Sequence, residues 1–337
     1  MSAVAASGVP YAGLTPDMVL DALESLDLRC DGRQMALNSY ENRVYQIGIE
    51  GAVPLIAKFY RPERWSDAQI LEEHSFAAEL AAAEIPLVAP LTLNGATLHH
   101  FSGFRFALFA RRGGRTPELE NPETLEWLGR FLGRIHAIGG TRPFTTRPTL
   151  DAQSFGRESR DWLLADQVIP RDLRLPWQGA ADLALEHVAH CYERAGQVAL
   201  IRLHGDCHPG NVLWVKEGSE RGPHFVDLDD ARMAPAIQDL WMLLPGDREA
   251  ASQALGFLLK GYEDFCDFDD HQLHLVEALR TLRLMHHSAW IARRWADPAF
   301  PAAFPWFASP RYWQDRILEL KEQVALMQEP ALRPAQI

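Results

Sequence analysis

Residues 201–230, IRLHGDCHPGNVLWVKEGSERGPHFVDLDD, contain most of the chemical information in this sequence. An HGD motif at 204–206 and a DLD motif at 227–229 are separated by two short apolar runs that flank a polar turn. Apolar runs on either side of a turn predict a β-hairpin, which would bring Asp227 back beside Asn211. The stretch therefore predicts a polar loop, a hairpin and a second, acidic loop in that order.

These residue types fit phosphoryl transfer. The transition state of that reaction is rich in negative charge, so catalysis depends on positioning and on compensation by cations. A carboxylate must orient the acceptor hydroxyl, while Mg²⁺ prefers hard oxygen ligands and takes only one or two of them from the protein. We expect Asp206 to act on the acceptor, and Asn211 and Asp227 to bind the metal. Asp206 and Asp227 are thus the expected catalytic carboxylates.

Two other interpretations of the same loop are weaker. His204, Cys207 and His208 are zinc-ligand types, but a structural zinc site takes four ligands and a fourth is not evident. A structural polar loop would also contain aspartates. It would not require HGD, an asparagine five residues later, and then acidic residues alternating with apolar ones.

The rest of the chain divides into a strand-rich and a helix-rich part. Arg43–Ile49 and residues 54–60 are apolar runs about a Glu-Gly turn and predict a hairpin. After the hinge expected at 110–115, which contains RRGGR, helical periodicity predominates apart from an aromatic-rich loop near the carboxyl end. We expect an α+β fold with a nucleotide-binding part at 1–110 and a catalytic, acceptor-binding part at 111–337.

Charge and cysteine content exclude several classes of protein. The 337 residues carry a net charge of −12, which argues against a nucleic-acid-binding surface. The four cysteines are far apart and form no C-x-x-C pair, so a disulfide framework is not indicated. The first 14 residues lack the basic segment of a signal peptide, and the apolar runs are too short to span a bilayer. We expect a cytoplasmic protein, favoured to be a monomer, with no nucleic-acid or membrane partner.

HGDCHPGN followed by FVDLDD resembles the catalytic and metal-binding loops of the aminoglycoside phosphotransferase and choline kinase superfamily. The resemblance implies a bilobal, protein-kinase-like fold and transfer of the ATP γ-phosphate to a hydroxyl with Mg²⁺. Three further blocks are more specific than these loops: LNSYENRVYQ at 37–46, KFYRPERWSDAQILEEH at 58–74 and RRWADPAFP at 293–301. They imply a serine/threonine protein kinase that phosphorylates proteins, itself included, in a bacterial stress response.

The resemblance also assigns roles outside the central stretch. Lys58 stands where the family's lysine contacts the α- and β-phosphates of the nucleotide. Glu73 is its expected partner rather than Glu72, because Glu73 shares a helix face with apolar residues. Ser39, in a loop without glycine, is expected to donate to the nucleotide phosphates. Asp239 resembles an aspartate that braces the catalytic loop, although a carboxylate at the start of any helix would give the same pattern.

Two rival functions stay open at this stage. One is a small-molecule kinase acting on an amino alcohol, a sugar or an aminoglycoside. The other is a nucleotide-binding regulatory module without catalysis, against which the intact set of Lys58, Asp206, Asn211 and Asp227 argues. For a protein acceptor, which must be able to reach Asp206, we expect a cleft mouth open enough for a peptide, with acidic residues of the helical part on its rim. The aromatic residues at 290–312 are expected to be core more than acceptor wall.

Overall fold

The computed structural model describes residues 10–218 and 221–337. The expectation that the first 14 residues are not a signal peptide therefore falls largely outside the described residues, since it includes residues 1–9. The described strands are β1 (Cys30–Leu37), β2 (Arg43–Ile49), β3 (Leu55–Phe59), β4 (His99–Phe101), β5 (Phe104–Ala110), β6 (Ile201–Leu203), β7 (Val212–Val215), β8 (Gly222–Phe225) and β9 (Arg232–Ala234). The described helices are α1 (Pro16–Glu24), α2 (Asp67–Ala82), α3 (Pro122–Gly139), α4 (Glu158–Ala165), α5 (Arg174–Ala195), α6 (Ile237–Trp241), α7 (Arg248–Tyr262), α8 (Val276–Arg293), α9 (Ala299–Ala303) and α10 (Pro310–Gln328).

The chain forms two compact units. The first unit comprises the described residues up to Thr116 together with Val212–Asp229, and the second comprises Pro117–Asn211 and Asp230–Ile337. The sequence had suggested that the whole of 111–337 would form one part. In the structure, the β7–β8 hairpin and the DLD motif pack with the first unit instead.

Backbone hydrogen bonds explain why the hairpin packs there. The N–H of Arg115 donates to the carbonyl of Trp214 at 3.0 Å, which attaches β7 to the segment before the unit boundary. On the other strand, the N–H of Phe225 donates to the carbonyl of Pro86 at 2.8 Å. A short two-stranded ribbon has unpaired backbone groups on both edges, so these partners satisfy groups that would otherwise be costly to bury.

A five-stranded antiparallel sheet in the order β1-β2-β3-β5-β4 forms the centre of the first unit. The predicted β2–β3 hairpin is present, with Val44 opposite Lys58. On the other side of β3, Lys58 is opposite Ala107 of β5, so the lysine lies on a strand with neighbours on both edges. Apolar side chains of the sheet and of α1, such as Phe59, pack into a core on this unit.

Helix α2 follows β3 and begins at Asp67. Ser66 is its N-cap, and Ser66 and Gln69 form a capping box in which each side chain meets the other residue's backbone N–H. One face of the helix is buried and carries Ile70 and Leu80. Glu73 lies on that same buried face, which is an expensive place for a carboxylate without a cation.

In the second unit, α3 and α7 approach each other closely through glycines. A Cβ atom at Gly129 of α3 would lie 2.0 Å from the carbonyl oxygen of Leu258, and one at Gly261 of α7 would lie 2.0 Å from that of Glu126. Backbone can approach backbone at these points only because neither residue has a side chain. This packing fixes α3, whose last turn carries His136.

Helices α5, α8 and α10 pack against one another in the same unit. The loop expected at 297–312 instead contains α9, and α10 begins at Pro310 behind the N-cap Ser309. Proline is well suited to the first helical position, where its missing N–H is not needed. Within residues 10–218 and 221–337, no helix is both long and apolar enough to cross a membrane.

Candidate active site

Lys58 is the centre of a buried charge network in the first unit. Its Nζ lies 2.7 Å from Oδ1 of Asp227 and 3.2 Å from Oδ1 of Asp229, with the lysine side chain only 7% exposed. Burial alone would lower the pKa of Lys58, but the charges of Asp227, Asp229 and Glu73 outweigh burial and raise it well above its ordinary value. Lys58 is therefore a fixed cation, as a contact for nucleotide phosphates requires.

Glu73 and Glu72 differ in burial. Glu73 is 3% exposed, whereas Glu72 is half-buried. The negative charge of Glu73 acts on Lys58, and it also contributes to the raised pKa of Tyr60, after burial itself. The structure thus places the carboxylate selected from the helical pattern, and not its neighbour, on the side of α2 that carries the charge network.

Asp227 has an unusual backbone conformation. Its φ angle is +61°, in the left-handed region that few residues other than glycine adopt, although aspartate is among the more tolerant. Its side chain is 49% exposed even though Oδ1 pairs with Lys58. Strained backbone is common at ligand-binding positions, where the surrounding structure holds the residue in place. The turn leaves Asp227 with carboxylate surface that is accessible for a ligand.

The loop between β1 and β2 reaches the same network. Ser39 lies in this loop, half-buried, and Asn42 at its end donates from Nδ2 to Oδ2 of Asp229 at 3.2 Å. The guanidinium of Arg64 also pairs with Asp229. Sequence analysis missed Asn42 and Arg64. Both residues lie in blocks that carried the family resemblance, at 37–46 and 58–74.

The polar loop of the HGD motif belongs to the second unit and is held by Asp239. The two carboxylate oxygens of this fully buried residue accept the backbone N–H groups of His204 and Gly205, each at 2.9 Å. Gln238 adds a third bond, from Nε2 to the carbonyl of Gly205 at 3.0 Å. The bracing role expected of Asp239 is confirmed. Gln238 was not anticipated from the sequence.

Gly205 is required by the path of this loop. Its φ angle is +83°, and a Cβ atom there would lie 2.2 Å from the carbonyl oxygen of Asp230. Both the conformation and the space demand glycine. His136 supports the same brace, since its Nε2 lies 3.2 Å from Oδ2 of Asp239 and its Nδ1 lies 3.0 Å from the hydroxyl of Tyr262. His136 is therefore structural.

Asp206 extends from this braced loop and lies beside Arg283 and His208. Its Oδ1 lies 2.6 Å from Nη1 of Arg283 on α8, and its Oδ2 lies 3.7 Å from Nε2 of His208. Arg283 has no motif around it that would have identified it in the sequence.

Asn211 closes the loop through its amide. Its Nδ2 donates to the carbonyl of Asp206 at 2.9 Å, and its backbone N–H donates to the carbonyl of His208 at 2.9 Å. This orientation commits the nitrogen of the side chain and leaves Oδ1 as the atom able to bind a cation. An amide oxygen and the carboxylate of Asp227 are hard donors, so these residues fit Mg²⁺ by donor type.

The alternative zinc site receives no support from the geometry. Cys207 is fully buried, and burial raises the pKa of its thiol well above the usual value, which disfavours the thiolate that zinc requires. In the described parts of the chain, no group of three or more His, Cys, Asp or Glu side chains is arranged to hold a metal ion.

Comparison with known proteins gives the same chemical class. The model of the phosphotransferase enzyme family (APH) matches residues 34–276, which include Lys58, the HGD loop and the DLD motif. The chain belongs to this family. The predicted enzyme class, an ATP-dependent kinase, is therefore confirmed, as is the predicted mixed fold with an antiparallel sheet in its amino-terminal part.

Curated relatives of this phosphotransferase align over nearly its full length. Stress response kinase A of Escherichia coli (strain K12) is 44% identical over 328 residues, which are 97% of this chain and 98% of that protein. The serine/threonine protein kinase RdoA of Salmonella typhimurium (strain LT2) is 44% identical over 323 residues, 96% of each chain.

Solved structures of the same fold are more distant in sequence. Amicoumacin kinase hAmiN, in complex with AMP-PNP, Ca²⁺ and Ami, has a TM-score of 0.70 with 19% identity and coverage of 95% of both chains. A microcompartment-associated aminopropanol kinase has a TM-score of 0.65 with 17% identity, over 91% of this chain and 96% of the other. At these identities the likeness establishes the fold of this phosphotransferase, and its acceptor must be argued from other observations.

Proposed function

We propose that this phosphotransferase is a Mg²⁺-dependent serine/threonine protein kinase that can also phosphorylate itself. The observation that carries the proposal is the 44% identity, over 96% of both chains, to a protein named as a serine/threonine protein kinase. Relatives named stress response kinase A motivate a role in a bacterial stress response. Because ATP is a cytoplasmic nucleotide, we also propose a cytoplasmic location.

Lys58, Glu73 and Ser39 are the residues we assign to the nucleotide. Lys58 is a buried cation held in place by carboxylates, and we assign its charge to the α- and β-phosphates. The charges of Asp227, Asp229 and Glu73 together raise the pKa of the lysine, which keeps it protonated. Ser39 would donate its hydroxyl to a phosphate oxygen from the loop that also carries Asn42.

Asp206 is the residue we assign to the acceptor. Its carboxylate orients the serine or threonine hydroxyl and accepts its proton as the oxygen forms its bond to the γ-phosphorus and ADP departs. The bonds from Asp239 and Gln238 hold the loop backbone in place before the acceptor arrives. Preorganisation of this kind lowers the barrier because less ordering remains to be done in the transition state.

Asp227 and Asn211 are the oxygen donors we assign to Mg²⁺, which when bound supplies positive charge to the transferring phosphates. In the first unit, Asp227 suits this role because its backbone is in the left-handed region and its carboxylate is accessible. In the second, Asn211 is prepared by the hydrogen bond that commits its Nδ2 and frees its Oδ1.

The decisive experiment follows phosphate from labelled ATP. Purified protein incubated with ATP and Mg²⁺ should acquire phosphate on serine or threonine, located by mass spectrometry. Asp206→Asn should reduce incorporation by ~10²–10⁴-fold while retaining nucleotide binding, because the carboxylate acts on the acceptor and not on ATP. If the wild type labels no protein but consumes ATP with an amino alcohol, sugar or aminoglycoside, the protein-kinase proposal is wrong. If it binds ATP and turns over none, the chain is a nucleotide-binding module.

A further inference from the structure

The carboxylate assigned to the acceptor forms an ion pair with an arginine from another helix. Arg283 lies 2.6 Å from Oδ1 of Asp206, and His208 lies 3.7 Å from Oδ2. Arg283 projects from α8, a helix that contributes no residue to the HGD loop or its brace. A cation that pairs directly with the proposed proton acceptor must either inhibit the reaction or take part in it.

Arg283 blocks the oxygen that an acceptor hydroxyl would use. Oδ1 of Asp206 is shielded from solvent and, among the described residues, has no aligned hydrogen-bond donor, so its contact with Arg283 is an ion pair without good hydrogen-bond geometry. The side chain of Arg283 is 36% exposed and has room to turn away. A hydroxyl can therefore reach Oδ1 when the guanidinium moves, and the displaced guanidinium then needs another anion.

The positive potential extends beyond this one contact. His287, one turn along α8 from Arg283, has a pKa lowered to about 4, first by burial and then by the charges of Arg283 and Arg316, while Asp206 opposes the shift. His287 therefore reports that both arginines lie within electrostatic reach of one point near Asp206. Arg316 comes from α10, where it also pairs with Glu319, so the direct ion pair with Asp206 is that of Arg283.

We propose that Arg283 is the acceptor-recognition residue, and that it selects a hydroxyl with a carboxylate or phosphate close by, as in an acidic serine- or threonine-containing segment. This inference rests on the proposed function in naming a peptide. When such a segment binds, its anion takes over the guanidinium and releases Asp206 to the hydroxyl. An amine-bearing acceptor would instead place a second cation beside Arg283. The repulsion between the two cations would disfavour binding, and it is stronger where less water screens it.

The test compares three serine peptides that differ only in flanking charge: Asp/Glu, Ala/Gln and Lys/Arg. The wild type should phosphorylate the acidic peptide with a kcat/KM about tenfold or more above that of the neutral one, a preference that shrinks at high salt. Arg283→Gln should remove the preference, Arg283→Lys should keep part of it, and Arg283→Glu should invert it towards the basic peptide.

Arg280→Gln is the matched control. Arg280 lies one turn before Arg283 on the same helix and pairs with Glu277, so its loss should leave the acidic preference intact. Thermal unfolding and ATP binding, measured on every variant, separate misfolding from altered recognition. A merely structural Arg283 would lower kcat/KM for all three peptides by the same factor.

A binding experiment keeps the inference testable if no peptide is phosphorylated. Fluorescent versions of the three peptides with alanine in place of serine are titrated by anisotropy, alongside phosphorylation assays with hydroxy acids and amino alcohols. A preference for acidic peptides or for hydroxy acids that depends on Arg283 supports the inference. If hydroxy acids are phosphorylated and no peptide is, the inference still stands, while the protein-kinase proposal is refuted. Equal or basic preference, or an acidic preference unchanged by Arg283→Gln, overturns it.

Discussion

Lys58 contacts carboxylates from the DLD motif, and the charge of Glu73 helps to raise its pKa. Substitution of Lys58 therefore tests the proposed nucleotide-binding residues. Lys58→Met should raise the KM for ATP and lower turnover, because the phosphates lose a preorganised cation. Glu73→Gln should give a weaker form of the same defect.

A double-mutant cycle on kcat/KM for ATP measures the connection between the two residues. Residues in one charge network should couple by ~0.5–3 kcal/mol. The parallel cycle with Glu72→Gln is the control. Additive effects for Lys58 and Glu73, together with coupling between Lys58 and Glu72, would contradict the assignment.

His287 predicts how stability depends on acid. Its pKa is lowered to about 4 in the folded protein, against an ordinary value of 6.5, so the unfolded chain binds the proton more tightly. The contribution of this residue is fully present above about pH 6.5 and is lost as the pH falls towards 4, by about 3 kcal/mol in total. Urea unfolding from pH 7.5 to 4.5 should therefore show a steeper acid loss for wild type than for His287→Gln.

Among the elements, α3 and α7 offer the sharpest stability prediction. Gly129→Ala places a methyl group 2.0 Å from the carbonyl of Leu258, so the two helices must separate. We expect a loss of ~1–3 kcal/mol or more in the free energy of unfolding, since overpacking a tight interface is not relieved by rotamer changes.

Gly179→Ala in α5 is the counterpart, because a Cβ there meets nothing within 4 Å. This change should be neutral or stabilising by up to ~1 kcal/mol through helix propensity alone. Equal effects of the two substitutions in denaturant titrations would show that the α3–α7 contact is not as close as described.

Local signals predicted the elements that carry local chemistry. The capping box of α2 and the apolar runs of β2 and β3 depend on neighbouring residues, and each is present. Strand β1 was missed because much of it is exposed and polar, so its own sequence lacks the apolar pattern of a strand. It forms because it pairs with β2. The α9 turn was likewise hidden in a segment rich in proline and aromatic residues.

The candidate site divides in the same way between motif and context. Asp206, Asn211 and Asp227 were selected because their spacing fits one reaction. Arg283 and Arg64 were not, since each acts through a tertiary contact with a residue far away in sequence and neither lies in a chemical motif that the reaction requires. Sequence patterns identify groups that chemistry demands, whereas the groups that tune them are set by packing.

For the whole molecule, ligand binding should raise the free energy of unfolding, because the ligand binds the folded state. A ligand present at 100 times its Kd adds about 2.7 kcal/mol to the free energy of unfolding. Thermal unfolding with ATP alone, Mg²⁺ alone and both together should show a larger Tm increase for the pair than for either component.

Asp227→Ala should remove the Mg²⁺-dependent part of that increase, and Asn211→Ala should reduce it less, because only the former removes an anionic donor. Asp247→Ala, which removes an N-cap of α7, is a control that lowers Tm without altering the Mg²⁺ increment. An unchanged increment in Asp227→Ala would refute the metal assignment.

The first unit is assembled from two separate pieces of chain, the residues up to Thr116 and Val212–Asp229. On the ribosome, its second piece emerges only after the intervening part of the second unit has been made. At ~5–20 residues per second the amino-terminal piece waits for roughly 6–20 s without the hairpin that satisfies the backbone of Arg115 and Pro86. Nascent chains stalled before residue 212 should therefore be protease-sensitive in their first hundred residues, and chains stalled well beyond 229 should be protected. The order of synthesis thus delays completion of the first unit until the HGD loop of the second unit has already been made.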